Sequence, residues 1–213
     1  MRVALFLLTT GYCVAQSLSF GVVGGVRTTD DINFAATSES KRYIVGPMVD
    51  VGLPFGFGAE FDALYAREGF RADISTPITS ALINSRSGVW QLPFMVKHSI
   101  PFPVVKPFAE IGFSTRIMNG TLARNETTEV LANGTETVSF NTRGDANWPK
   151  SYGLVMGGGV RLHAARLQLM PQVRYTHWSS TPILLPFGDG PTIQSTQNEF
   201  DVLVGIGWKA AGR

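Results

Sequence analysis

Along most of this chain, apolar residues alternate with polar or small ones. Tyr43, Val45, Pro47, Val49, Val51 and Leu53 hold one parity, with Gly46, Met48, Asp50 and Gly52 between them. Phe57, Ala59, Phe61, Ala63 and Tyr65 continue it around Gly58, Glu60, Asp62 and Leu64. A period of two over such a length predicts a strand whose two faces meet unlike surroundings. The same pattern recurs over residues 18–27, 88–98, 107–118, 152–163, 166–178 and 198–209. Eight segments result, each near the 9–11 residues a tilted strand needs to cross the hydrocarbon of a bilayer.

The connections alternate as well. Links of about 14, 18, 32 and 19 residues take turns with three short ones: Pro54-Phe55-Gly56, a proline-containing link near 100–106, and Ala164-Ala165. An antiparallel up-and-down barrel produces this when long loops leave one rim and tight turns the other. The expected fold is therefore all-β: an eight-stranded antiparallel up-and-down transmembrane β-barrel. With eight strands, both termini lie on the turn side. The stretch 119–150, rich in Asn, Thr, Glu and Gly, reads as an irregular, mobile outer loop. Its three Asn-x-Thr triplets, at Asn119, Asn125 and Asn133, read as loop composition.

The amino terminus changes the picture by adding export. Met1-Arg2, the apolar run from Val3 to Leu8, and small residues at Cys13 and Ala15 form a basic start, a hydrophobic region and a cleavage site. A cut after Ala15 leaves residues 16–213 as one barrel domain without cysteine, which excludes thiol chemistry and a Cys-zinc site. Lys plus Arg number 18 against 16 acidic residues, a near balance that argues against a nucleic-acid partner. Hydrophobic residues make up 44% of the chain with no run of 18 beyond the leader, so strands are the means left to cross a membrane.

Volume decides which face meets lipid. The apolar parity carries Phe20, Tyr43, Phe57, Phe61, Tyr65, Trp90, Phe94, Phe113, Tyr152, Tyr175, Phe200 and Trp208, too much bulk for a lumen only wide enough for side chains. The other parity is rich in glycine and carries Arg27, Arg42, Lys97, Arg116, Arg161, Arg166, Arg174 and Lys209 against Asp50, Glu60, Asp62, Glu68, Glu110, Glu199 and Asp201. Inside a narrow barrel such charges must pair. A lumen network built on Arg27, Asp50, Glu60, Asp62, Glu110, Arg116, Arg161, Arg174 and Asp201 is expected. Tyr43, Tyr65, Trp90, Tyr152, Tyr175 and Trp178 are expected as an aromatic girdle at the long-loop rim, and Phe20, Phe57, Phe94 and Trp208 as one at the turn rim. A soluble lipocalin-like periplasmic barrel, apolar face inward around a ligand, is the alternative arrangement of the same pattern.

With these features the chain resembles the small outer-membrane β-barrel family, the OmpA-like, OmpX-like and "porin family" barrels of Gram-negative bacteria. The resemblance implies a monomer in the outer membrane, inserted by the barrel-assembly machinery, in contact with outer-membrane lipids and lipopolysaccharide, and of structural or surface-interaction type. The last strand, Phe200 to Trp208, looks like the terminal assembly signal of such proteins, although Lys209 to Arg213 follow it where many members end on an aromatic residue. No cofactor and no metal are expected. His98 and His163 fall at the turn rim without metal-ligand spacing. Arg174-Tyr-Thr-His177-Trp-Ser179 looks like an element of the outer-membrane lipid A deacylases, in which a histidine and a serine serve as base and nucleophile. It makes His177 and Ser179 candidate catalytic residues, with Asp189 the nearest acidic partner, and a lipid A hydrolase the enzymatic alternative. Here Ser180 stands where that family has Asn.

Overall fold

The computed structural model describes residues 17–30, 32, 36–75, 79–102, 105–131, 135–164, 166–181, 183–185 and 192–210. The expected leader, residues 1–15, lies outside the described residues, as does Asp189. The strands are β1 (Ser17–Arg27), β2 (Thr37–Ser38), β3 (Lys41–Gly52), β4 (Phe57–Asp62), β5 (Leu64–Ser75), β6 (Thr79–Ser99), β7 (Val105–Leu131), β8 (Thr135–Asn147), β9 (Ser151–Ala164), β10 (Leu167–Trp178), β11 (Leu184–Leu185), β12 (Ile193–Gln194) and β13 (Asn198–Lys209).

Pairing closes them into a barrel. Going round it, β1 pairs with β3, β3 with β4 and β5, both of these with β6, and then β7, β9, β10 and β13 follow. β13 returns to β1 through the register Phe20↔Trp208 to Arg27↔Asp201. β4 and β5 are one stave interrupted at Ala63, so the barrel has eight staves, all antiparallel. Closure leaves no open edge at membrane depth, the condition for backbone groups surrounded by lipid.

Tight turns gather at one rim. Between β3 and β4, Pro54–Gly56 forms a single 3-10 turn in which Phe55 has φ 61° and Gly56 φ 80°. A Cβ on Gly56 would sit 2.4 Å from the Ser99 carbonyl oxygen, so both backbone angle and space require glycine there. Apolar and aromatic side chains of alternate residues point outward: Phe20, Val22, Val26, Val45, Phe57, Phe61, Trp90, Phe94, Ile111, Phe113, Tyr152, Leu154, Phe200, Val204 and Trp208 are all exposed.

The opposite rim departs from the expected loops. The residues expected to form an 18-residue loop continue β5 and β6 as a hairpin paired up to Ser75↔Ser80. The stretch expected to be irregular is also strand: Asn119 to Leu131 of β7 pairs in full register with Asn147 to Thr135 of β8. Alternation does not reveal it because Thr121, Asn125, Thr127 and their partners Asp145, Asn141 and Ser139 are polar in water, with few apolar residues between them. The β propensity of threonine, not apolar alternation, carries that strand.

Candidate functional site

Barrel strands carry alternate residues inward, and at membrane level these are mainly charged. Arg174 on β10 is the centre. Its Nη1 bonds Asp62 Oδ2 at 2.6 Å, its Nε bonds Glu110 Oε1 at 2.8 Å, and its Nη2 bonds Glu60. Lys97 on β6 bonds the same Glu60 and lies 3.3 Å from Glu110 Oε2 and 3.6 Å from Asp50 Oδ2. Arg161 on β9 bonds Asp50 Oδ2 at 2.8 Å.

Nearer the outer rim, Arg27 bonds Glu68 at 2.7 Å and Asp201 at 3.4 Å, and its charge lies 3.2 Å from Glu199. Arg116 bonds Glu199 at 2.7 Å and Ser151 Oγ at 3.1 Å, and Gln91 Nε2 donates to the second oxygen of Glu199 at 2.8 Å. The residues come from all eight staves, so no single segment can make the cluster. A guanidinium suits this centre because its fixed fork meets several carboxylates at once. Losing one member would leave charge unpaired in a dry interior.

All nine residues assigned to the lumen network thus lie inside the barrel, joined by Lys97, Glu68 and Glu199. Arg42 and Arg166 do not join. The register of β3 shifts between Lys41 and Ile44, which throws Arg42 to the surface, where it meets Asp30 at 3.5 Å, and Arg166 is exposed in the turn before β10. The interior also holds an apolar cluster: Val23, Ile44, Met48, Leu64, Ala66, Phe108, Met170 and Leu203. A Cβ at Gly205 would stand 3.1 Å from both Met48 and Met170, so glycine on β13 makes room for these methionines.

The girdle assignments need two corrections. Trp178 is fully buried rather than facing lipid. It shares parity with Arg174 and Thr176, and its ring lies 4.3 Å from the Arg116 guanidinium inside the barrel. Phe94 sits well above the turn rim: its register partners are Phe61 and Phe113, and three residues separate it from His98, which pairs with Phe57. The other rings face outward as expected, with Tyr65 and Trp90 in contact at 5.2 Å and Tyr43 exposed on the neighbouring stave.

Just above Tyr65 and Trp90 the polarity of the two faces reverses. Below this level β6 shows Trp90, Phe94 and Val96 outside and Gln91 and Lys97 inside; above it, β6 and β5 show Arg86, Arg67 and Arg71 outside and Ile83, Phe70 and Ala72 inside. Ile32, Ile183 and Ile193 from the outer connections complete this upper apolar core. The reversal marks where the surroundings change from lipid to water. It also removes the lipocalin-like alternative, since the apolar face at membrane level points out and the space inside is taken by ion pairs. Sequence parity missed the upper core because its members lie far apart in the chain.

The outer face above the girdle carries Lys41, Arg67, Arg71, Arg86 and Arg143, all exposed and none in an ion pair among the described residues. Glu39, Asp73 and Asp145 share that face. A cleft of about 580 Å3 lies between Glu39, Lys41, Arg67 and Arg86.

His177 and Ser179 both end up exposed at the outer end of β10. The His177 Nδ1 lies 2.7 Å from Asn198 Oδ1, and the Tyr175 hydroxyl donates to that same oxygen at 2.7 Å. The partner of the imidazole is therefore an amide, not a carboxylate. Ser179 is held by its backbone N–H, which donates to the Tyr152 carbonyl at 2.8 Å.

No protein-family model and no curated protein matches the chain. Among solved structures it is similar to Neisserial surface protein A, with 11% identity, 91% of this chain and 97% of that one covered, and a TM-score of 0.44. It is also similar to Ail, the attachment invasion locus protein of Yersinia pestis, with 12% identity over 91% and 97% of the two chains and a TM-score of 0.43. A third is the N-terminal β-barrel domain of Pseudomonas aeruginosa OprF, with 8% identity over 92% and 99% and a TM-score of 0.39. No residue of the site is carried over from them.

Proposed function

We propose that this protein is an outer-membrane barrel of structural and surface-interaction type, exported through a cleavable leader, whose lumen passes no solute. The observation behind it is Arg174 held by Glu60, Asp62 and Glu110 across the middle of the lumen. Eight staves leave no aqueous channel once such groups fill the interior. The barrel anchors by its apolar band as a monomer, inserted by the barrel-assembly machinery. Its outer hairpins and upper core project from the membrane as the interacting part.

The partner nearest to hand is the outer leaflet itself. Five exposed cations directly above an aromatic girdle sit at headgroup height, where lipopolysaccharide phosphates lie within reach of bidentate arginine contacts. Planar-bilayer recording of the refolded chain tests the closed lumen: no stable conductance is expected, and large steady openings would refute it. Co-purification with lipopolysaccharide tests the partner. Replacing Lys41, Arg67, Arg71 and Arg86 by glutamine together should strip most of the bound lipid while the unheated, folded gel band persists. Undiminished lipid would remove these residues from the proposal.

A further inference from the structure

We propose that the turn-side mouth of the barrel is a binding site for a compact oxyanion of the phosphate class, at the lower edge of the ion-pair network and sharing Arg161 with it. The mouth opens into a cavity of about 270 Å3 lined by Lys106, Arg161, His163 and Lys209, with Ser17 and Ser99 at its edge. Lys106 of β7 and Arg161 of β9 are direct register partners. Like charges placed directly opposite on neighbouring strands are unfavourable unless something neutralises them.

Little among the described residues does. Every other interior cation is answered by carboxylates: Arg174 by three and Arg27 by three. At the mouth the carboxylate within reach is Asp50, bonded to Arg161 at 2.8 Å and also near Lys97 at 3.6 Å. Lys106 and Lys209 are in no ion pair among the described residues. The Nε of Arg161 is buried without a hydrogen-bond partner although Nη2 is engaged. Two free ammonium groups, one idle guanidinium donor and an imidazole thus converge on a space large enough for a tetrahedral oxyanion and its waters. A single dianion there would answer both lysines and accept the idle Nε–H. The network closes the way beyond it, so the site holds its ligand and does not pass it on.

The test uses the full chain refolded in a detergent without phosphate headgroups. Inorganic phosphate is titrated at constant ionic strength while the ring resonances of His163 are followed, assigned by loss of the signal in His163→Gln. A saturable shift with phosphate, absent with chloride, is expected. The double variant Lys106→Gln/Lys209→Gln should weaken binding about tenfold or more, since each charged hydrogen bond is strong. Its folding is checked by the unheated gel band. Should it not fold, Lys209→Gln alone serves, with a loss of about threefold. A linear shift shared by chloride, or unchanged binding in the folded variant, overturns the site. The closed lumen does not depend on this result, because it is read from conductance.

Discussion

The lower and upper halves of the barrel fill the same kind of interior in opposite ways. Between the turn rim and the Tyr65–Trp90 contact, the inside is a lattice of arginine, lysine and carboxylates beside an apolar wedge of methionine and leucine. Above that contact, the same staves enclose Phe70, Ile83, Val89 and Met118, capped by Ile32, Ile183 and Ile193. The outer faces differ in the reverse sense, valine and phenylalanine below and arginine, asparagine and threonine above. Surroundings, not strand geometry, set which parity is apolar. In lipid the outside must be apolar, and the polar remainder is forced inward to pair with itself. In water the usual soluble arrangement returns.

Substitutions can break this contrast at several points. The largest effect is expected at Arg174. Arg174→Met leaves Asp62 without a cation and Glu60 and Glu110 with Lys97 alone, and should cost about 3–5 kcal/mol, seen as a lowered urea midpoint for loss of the folded, unheated gel band. Next, Ile83→Ala in the upper core should cost about 2–5 kcal/mol, but locally. It should make the outer hairpins sensitive to protease while the membrane-level barrel keeps its band. A pair of changes on the outer parity sharpens the boundary itself. Phe94→Arg, on the lipid face, should destabilise by about 2–4 kcal/mol, whereas Arg86→Leu, on the same face of the same strand but above the girdle, should leave the folded fraction unchanged. Of the destabilising changes the smallest is expected for Trp178→Leu, which removes the ring from beside Arg116 and should cost about 0.5–2 kcal/mol from that contact, read from the same urea midpoint.

Much of the lower half is legible in the sequence. Strict alternation over Tyr43 to Leu53 and Phe57 to Tyr65 gives strand, face and approximate ends, because one face meets lipid and the other does not. The same parity assigns Asp50, Glu60, Asp62, Arg174 and Asp201 to the inside. Which cation meets which carboxylate is not readable, since partners such as Arg174 and Glu60 stand 114 residues apart and are joined only by closure. The upper half was hidden for a physical reason. Asn119 to Thr127 is exposed or half-buried, with Leu122 packed against the upper core, so the apolar contrast that announces a strand is weak. Trp178 misled through its chemistry: a tryptophan near a strand end suggests a bilayer interface, yet its parity with Arg174 sends it inward.

The central claim is that alternate residues of each stave face lipid and the packed interior at membrane level. Cys13, the single cysteine, lies in the expected leader, so the cleaved chain offers a clean background for labelling. Single cysteines at Val202, Leu203, Val204 and Gly205 of β13 would be labelled with a small fluorophore after refolding in vesicles containing a brominated lipid. Val202 and Val204 are exposed, at 41% and 42%, and Leu203 is fully buried. The account predicts strong quenching and ready labelling at positions 202 and 204, and protection at 203 and 205. Equal quenching at all four positions, or the opposite alternation, would contradict it.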